Sequence, residues 1–228
     1  HYYADIVLNQ NLHAEQLHYS CEPYTQLLLG TSYVLLRREF HAWRHWQREI
    51  PGKASRVLVT LGGSDPDNCT LKVIRALNKL DILDLEAVAV VGSGNPHITE
   101  LQEAASKGRV PIRIENNAHN MAELMAWADI ALVAGGITPW EMCLMGVPMI
   151  VIVIADNQNY NAQKMHWAGT AENLGWYMHV NEDKIAERLT HMINSQKLRE
   201  SMASAGRKLV DGLGSQRVLA KMSELSTG

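Results

Sequence analysis

Cysteine is scarce in this chain. Cys21, Cys69 and Cys143 are the three present in 228 residues, and no C-x-x-C spacing occurs. An odd number of dispersed thiols points away from both a disulfide framework and a zinc ribbon, so the expected setting is the reducing cytoplasm. An excess of positive charge is also missing: 21 Lys and Arg stand against 24 Asp and Glu, for a net charge of -3. No basic patch dominates, which argues against an electrostatic nucleic-acid binder. The short basic cluster from Arg37 to Arg48 reads as the solvated face of a helix. The longest apolar run, Val147 to Ala155, is too short for a bilayer span. The start of the chain lacks the charged-then-apolar pattern of a secretory leader. His41 and His45 are four apart, but Ala42 stands where a zinc protease has Glu, so surface histidines are expected and no metal. G-x-G-x-x-G and Walker A sequences are absent, and no cofactor is expected.

What is present is a rhythm. From Arg56 onward, apolar runs alternate with amphipathic stretches. The runs are Val57–Leu61, Ala87–Val91, Pro111–Ile114, Ile130–Val133, Met149–Ile154 and Ala171–Val180. Between them lie helical patterns at Asn68–Leu80, His97–Ser106, Met121–Ala126, Pro139–Met145 and Asn159–Ala168, followed by Asp183–Asn194 and Gln196–Val210. Continuous rather than alternating apolar strands imply burial on both faces. Strand–helix alternation implies parallel strands joined by crossovers. The predicted fold is therefore α/β, a doubly wound, Rossmann-like parallel sheet of six strands over residues 51–228. Residues 1–50 do not share the rhythm. Ala4–Leu8 and Leu27–Leu29 read as short strands, and Arg37–Ile50 as a linker helix with Phe40, Trp43 and Trp46 near one side, before Pro51-Gly52 breaks it. That segment reads as the end of a preceding domain, and the chain as part of a longer one.

Ligands of such sheets bind at the carboxyl ends of the strands. Leu61-Gly62-Gly63-Ser64-Asp65-Pro66-Asp67-Asn68 ends a strand in two glycines and opens a helix, with Ser64, Asp65 or Asp67 as caps. Its helix end suits a phosphate, although two acids beside it argue against a tightly held bare one. Ala134-Gly135-Gly136-Ile137-Thr138-Pro139-Trp140-Glu141 repeats the device, with Thr138 as cap and Pro139 in the first turn. Two Gly-Gly turns suggest a diphosphate cradle. Glu141, one turn into the helix, suits the hydroxyls of a ribose as well as simple dipole stabilisation. Asp156-Asn157-Gln158-Asn159-Tyr160-Asn161 supplies amides that both donate and accept, as sugar hydroxyls and acetamido groups require. The backbone from Glu115 to Met121 can read a base edge, with Asn120 as cap. Gly92-Ser93-Gly94 reads as a plain turn.

These loops resemble a known family. Met121 through Asp129, then Ala134-Gly135-Gly136, Glu141 and Gly146-Val147-Pro148, resemble the C-terminal domain of GT-B glycosyltransferases, above all the transferase that adds N-acetylglucosamine in lipid II synthesis. A closer resemblance rests on Asp5 to Asn11, Leu29-Gly30, Tyr33 to Phe40, Gly62 to Asp65, the second Gly-Gly loop, and Ala155-Asp156-Asn157-Gln158. It is to the UDP-diacetamido-trideoxy-sugar hydrolases of pseudaminic acid biosynthesis and the related spore-coat polysaccharide proteins, and it covers nearly the whole chain. The resemblance implies that Gly62, Gly63 and Ser64 approach a diphosphate, and that the backbone from Ala118 to Met121 meets uracil. It implies further that Gly136, Ile137 and Thr138 bind phosphate through N–H groups, that Glu141 holds the ribose, and that Gln158 and Asn159 face the sugar. UDP or a UDP-sugar is the implied partner, with water attacking the anomeric carbon. The family's catalytic histidine lies in a G-x-G-H motif of the N-terminal domain, and no such motif occurs here. No catalytic residue is therefore assigned, and the absent domain is expected to pack on the linker side against exposed Trp43 and Trp46. Hydrolase, UDP-sugar glycosyltransferase and non-catalytic binding subunit stay open. A dinucleotide oxidoreductase is disfavoured by the missing glycine fingerprint.

Overall fold

The computed structural model describes residues 1–226; the last two positions of the predicted 51–228 unit lie outside the described residues. The strands of the main sheet are β3 (Arg56–Thr60), β4 (Glu86–Val91), β5 (Ile112–Asn116), β6 (Ile130–Ala134), β7 (Met149–Val153) and β8 (Ala171–Trp176). They are parallel, in the order β5-β4-β3-β6-β7-β8. The chain winds outward from β3 to β5, returns across the middle, and winds outward again from β6 to β8, as the doubly wound pattern predicts.

Period-two alternation divides the strands between two cores. Leu58, Val88, Ala131, Val133 and Val151 face α3 (Met121–Trp127) and α4 (Thr138–Met145) on one side. Val57, Val59, Ala89, Leu132 and Ile150 face α1 (Cys69–Asn78) and α6 (Glu182–Asn194) on the other. Every residue of α4 from Pro139 to Met145 is buried, which is why that helix shows no polar face. Helices α2 (Ile98–Ser106), α5 (Asp156–Trp167), α7 (Gln196–Leu209) and α8 (Gly214–Ser226) complete the layers.

Before the main sheet, β1 (Ile6–Asn9) and β2 (Gln26–Leu29) form a separate parallel pair. The predicted linker helix is not an α-helix. Arg38–Trp43 is a 3-10 helix, followed by irregular chain to Pro51. Within it Phe40 and Trp43 stand three residues apart, one turn of the tighter helix, and so share a side. Nor are the tryptophans an exposed docking face. Both pack partly buried against the first core, their rings edge to face at 5.4 Å. The basic cluster is also not simply solvated. The Arg48 guanidinium donates to the carbonyls of Met125, Ala128 and Met145, where α3 and α4 end. It thereby satisfies acceptors that the helices leave open. Its burial pushes its pKa down to about 10, still far above neutrality.

Removing that guanidinium orphans several buried carbonyls together. Arg48→Ala is expected to cost about 3 kcal/mol, read as a shift of the urea midpoint at unchanged slope. A loss under about 1 kcal/mol would show that the carbonyls are satisfied in another way.

Candidate functional site

The site lies at the carboxyl ends of β3 and β6, where the winding reverses. The turn after β3 carries Gly62 and Gly63. Gly62 has φ +97°, a left-handed value that favours glycine. Asp65 then turns its carboxylate onto the start of α1, accepting from Cys69 N at 2.8 Å and Thr70 N at 2.7 Å. Of the three caps expected, Asp65 is the one used. Its consequence is that the start of α1 already holds an anion of the chain's own.

The turn after β6 is different. No side chain caps α4; Ile137 stands at the N-cap position, and Thr138, the expected cap, is the first helical residue. Among the described residues, the amides of Gly136, Ile137 and Thr138 have no acceptor. The Gly135 amide donates instead to Gln158 Oε1 at 3.2 Å, and Ile154 N donates to the same oxygen at 3.1 Å. The Gln158 carbonyl thus ties the β6 turn to the end of β7. What it leaves for the cavity is its amide nitrogen, a donor.

Two cavities flank this turn and share Ile137. The first, about 390 Å³, is lined by Gly62, Gly63, Ala118, Met121, Ile137, Thr138 and Glu141, all expected from the sequence. Leu35, Arg37, Thr60 and Gly92 also line it, and none of these had been given a role. The second, about 500 Å³, is lined by Gly135, Gly136, Ile137, Trp140, Asn157, Gln158 and Asn161 on one side. Leu8 through Asn11, at the carboxyl end of β1, line the other side. Ser64 and Asn159 are exposed and line neither cavity. The expected amide loop is helical, since α5 begins at Asp156. That puts Asn157, Gln158 and Asn161, but not Asn159, on the cavity side.

Glu141 is 3% exposed, and its carboxylate accepts from Arg37 Nε at 2.7 Å and Nη2 at 2.9 Å. These hydrogen bonds raise the Arg37 pKa, against an opposing effect of burial. Arg37 is the one cation lining the first cavity among the described residues, and the second cavity has none. A ligand's negative charge would therefore be met chiefly by main-chain N–H groups and the α4 dipole. No His, Cys, Asp or Glu cluster suited to a metal ion occurs among the described residues. No described helix is long and apolar enough to cross a membrane.

Residues 57–215 match the glycosyltransferase family 28 C-terminal domain. The chain belongs to that family. Across 98% of its length it is 31% identical to the spore coat polysaccharide biosynthesis protein SpsG of Bacillus subtilis, covering 66% of that protein. The resemblance read from the loops thus holds. The Acinetobacter baumannii MurG crystal structure superposes with a TM-score of 0.73 at 18% identity, over 97% of this chain and 60% of that one. A UDP co-structure of MnaA from S. aureus gives 0.59 at 17% identity, over 84% and 50%. At those identities the likeness is one of fold. The family 28 domain here is thus preceded by chain that reaches its site, since Arg37 lies before the matched residues. The chain spans about two thirds or less of the length of these relatives.

Gly92, read from the sequence as a plain turn, closes the first cavity by backbone contact. Its amide donates to Gly63 O at 2.9 Å, and a Cβ at Gly92 would come within 2.5 Å of that oxygen. Gly92→Ala should therefore destabilise the protein by about 1–3 kcal/mol, while exposed Ser93→Ala in the same turn leaves the urea midpoint unchanged. Equal midpoints for the two variants would refute the close packing.

Proposed function

We propose that the chain is the nucleotide-sugar-binding part of an enzyme that hydrolyses a UDP-diacetamido-trideoxy sugar during surface polysaccharide biosynthesis. In this reading uridine occupies the first cavity, with the base against Ala118 and Met121 and the ribose against Glu141. The diphosphate lies on the start of α4. The sugar fills the second cavity, against Gln158 and its neighbours. The observation that carries it is the uncapped start of α4 between the two cavities. A diphosphate is the part of a nucleotide-sugar that joins its nucleoside to its sugar, and free N–H groups at a helix start are what such an anion needs.

Further support comes from the second cavity. Asn161 is 3% exposed and its Oδ1 has no hydrogen-bond partner. A buried amide oxygen left open costs free energy, and a turn of this side chain toward the cavity it lines would offer that oxygen to the N–H of an acetamido group. In the reaction, water attacks the anomeric carbon and the glycosidic oxygen leaves with UDP. The N–H groups of Gly136, Ile137 and Thr138 stabilise the charge that grows on the departing diphosphate. The attacking group's proton acceptor is assigned to no residue of this chain. A second reading, a UDP-sugar-dependent glycosyltransferase or its donor-binding subunit, is favoured by the family match and by the fold shared with MurG. It uses the same two cavities.

Calorimetry with UDP, and with GDP and NAD as controls, tests the shared part of both readings. UDP alone should bind, and Glu141→Ala should weaken it by roughly tenfold or more. Binding of all three ligands equally, or of none, would sink the proposal. The chain by itself is expected to release little UDP from a UDP-sugar. In a protein extended at its N-terminus, acceptor-independent UDP release would favour the hydrolase, and release that requires an acceptor would favour the transferase.

A further inference from the structure

The carboxylate assigned to the ribose does not stand alone. Arg37 holds both its oxygens, and the third guanidinium nitrogen, Nη1, lies 3.0 Å from Glu39 Oε1. The guanidinium sits over the Phe40 ring, 5.2 Å from its centroid. Every arm of the fork is therefore engaged and its plane is fixed. Phe40 itself is fully buried in the core beneath α4, so the ion pair is anchored to the same packing that holds the helix.

An ionised carboxylate offers about four lone-pair sites, and a two-pronged guanidinium takes one on each oxygen. One site per oxygen then remains, the pattern that two neighbouring hydroxyls require. Sharing needs no displacement of Arg37. Charge points the same way. A buried glutamate without a partner would repel phosphate oxygens close by and would be costly to keep ionised. Paired with Arg37 it presents acceptor atoms with little net charge.

We infer that Arg37 is the positioning residue of the ribose subsite: it fixes the plane of the Glu141 carboxylate and cancels its charge, so that the nucleotide's 2′- and 3′-hydroxyls are read. The inference rests on the nucleotide reading above and deepens it. It makes the ribonucleotide specificity of the site depend on a side chain that precedes the family-matched residues.

The test compares UDP with 2′-deoxy-UDP by calorimetry on the whole chain. The wild-type protein should favour UDP by roughly tenfold or more, because a site built around a hydroxyl rejects the analogue that lacks it. Arg37→Gln should reduce that preference to about twofold or less, with an unchanged melting temperature showing that the fold persists. Arg37→Lys keeps the charge without the two-pronged hold. It should recover part of the affinity for both nucleotides but not the preference, and it carries the test should the glutamine variant fail to fold. Glu39→Gln, which leaves the bond pair to Glu141 in place, should keep the preference. A wild-type preference that survives in Arg37→Gln would overturn the inference and leave the nucleotide site standing. Equal binding of the two nucleotides by the wild type would also overturn it. Absence of UDP binding by the wild type would remove both.

Discussion

The arrangement depends on one topological constraint, the adjacency of β3 and β6. Strands on either side of this pair are reached by chain that departs in opposite directions, so the connections after β3 and β6 part and leave a crevice above the sheet. Into that gap come the Gly62-Gly63 turn from one side and the start of α4 from the other. Neither turn would make a site alone. Their value comes from the parallel hydrogen bonding of Val57 with Ile130 through Thr60 with Val133, which holds the two strand ends level.

The main sheet was legible because it is buried on both faces. Runs such as Val57–Leu61 and Met149–Ile154 carry their signal within a few residues, and each became a strand to within about a residue or two of the expected bounds. The predicted strand Ala171–Val180 is shorter, ending at Trp176. Gly175 there has φ +92°, and the pairing with β7 is irregular between Val151 and Val153. The amide-rich stretch after β7 looked like a loop because Asn and Asp favour turns; packing of Ala162 and Met165 into the first core carried the helix back to Asp156.

What could not be read was long in range. Arg37 and Glu141 are 104 positions apart, and no local period announces a bond of that span. The same holds for Gly92, whose significance is the nearness of Gly63. The opposite error, a solvated basic helix in place of Arg37 to Arg48, has the same origin. Charge in a sequence suggests water, yet Arg48 finds main-chain oxygens in the interior. Arg207 likewise donates to the Trp46 carbonyl, so the segment before the sheet is stitched to the helices by arginines as well as by its aromatic side chains.

Asp65 has a wider meaning than the capping of one helix. The start of α1 follows the turn that borders the first cavity, and its polarity would attract an anion. By seating its own carboxylate on α1, the chain closes that berth, while the start of α4 carries no side-chain cap. In the proposed reading a nucleotide-sugar rests its charged middle on α4, and the unlike linings of the two cavities distinguish its ends.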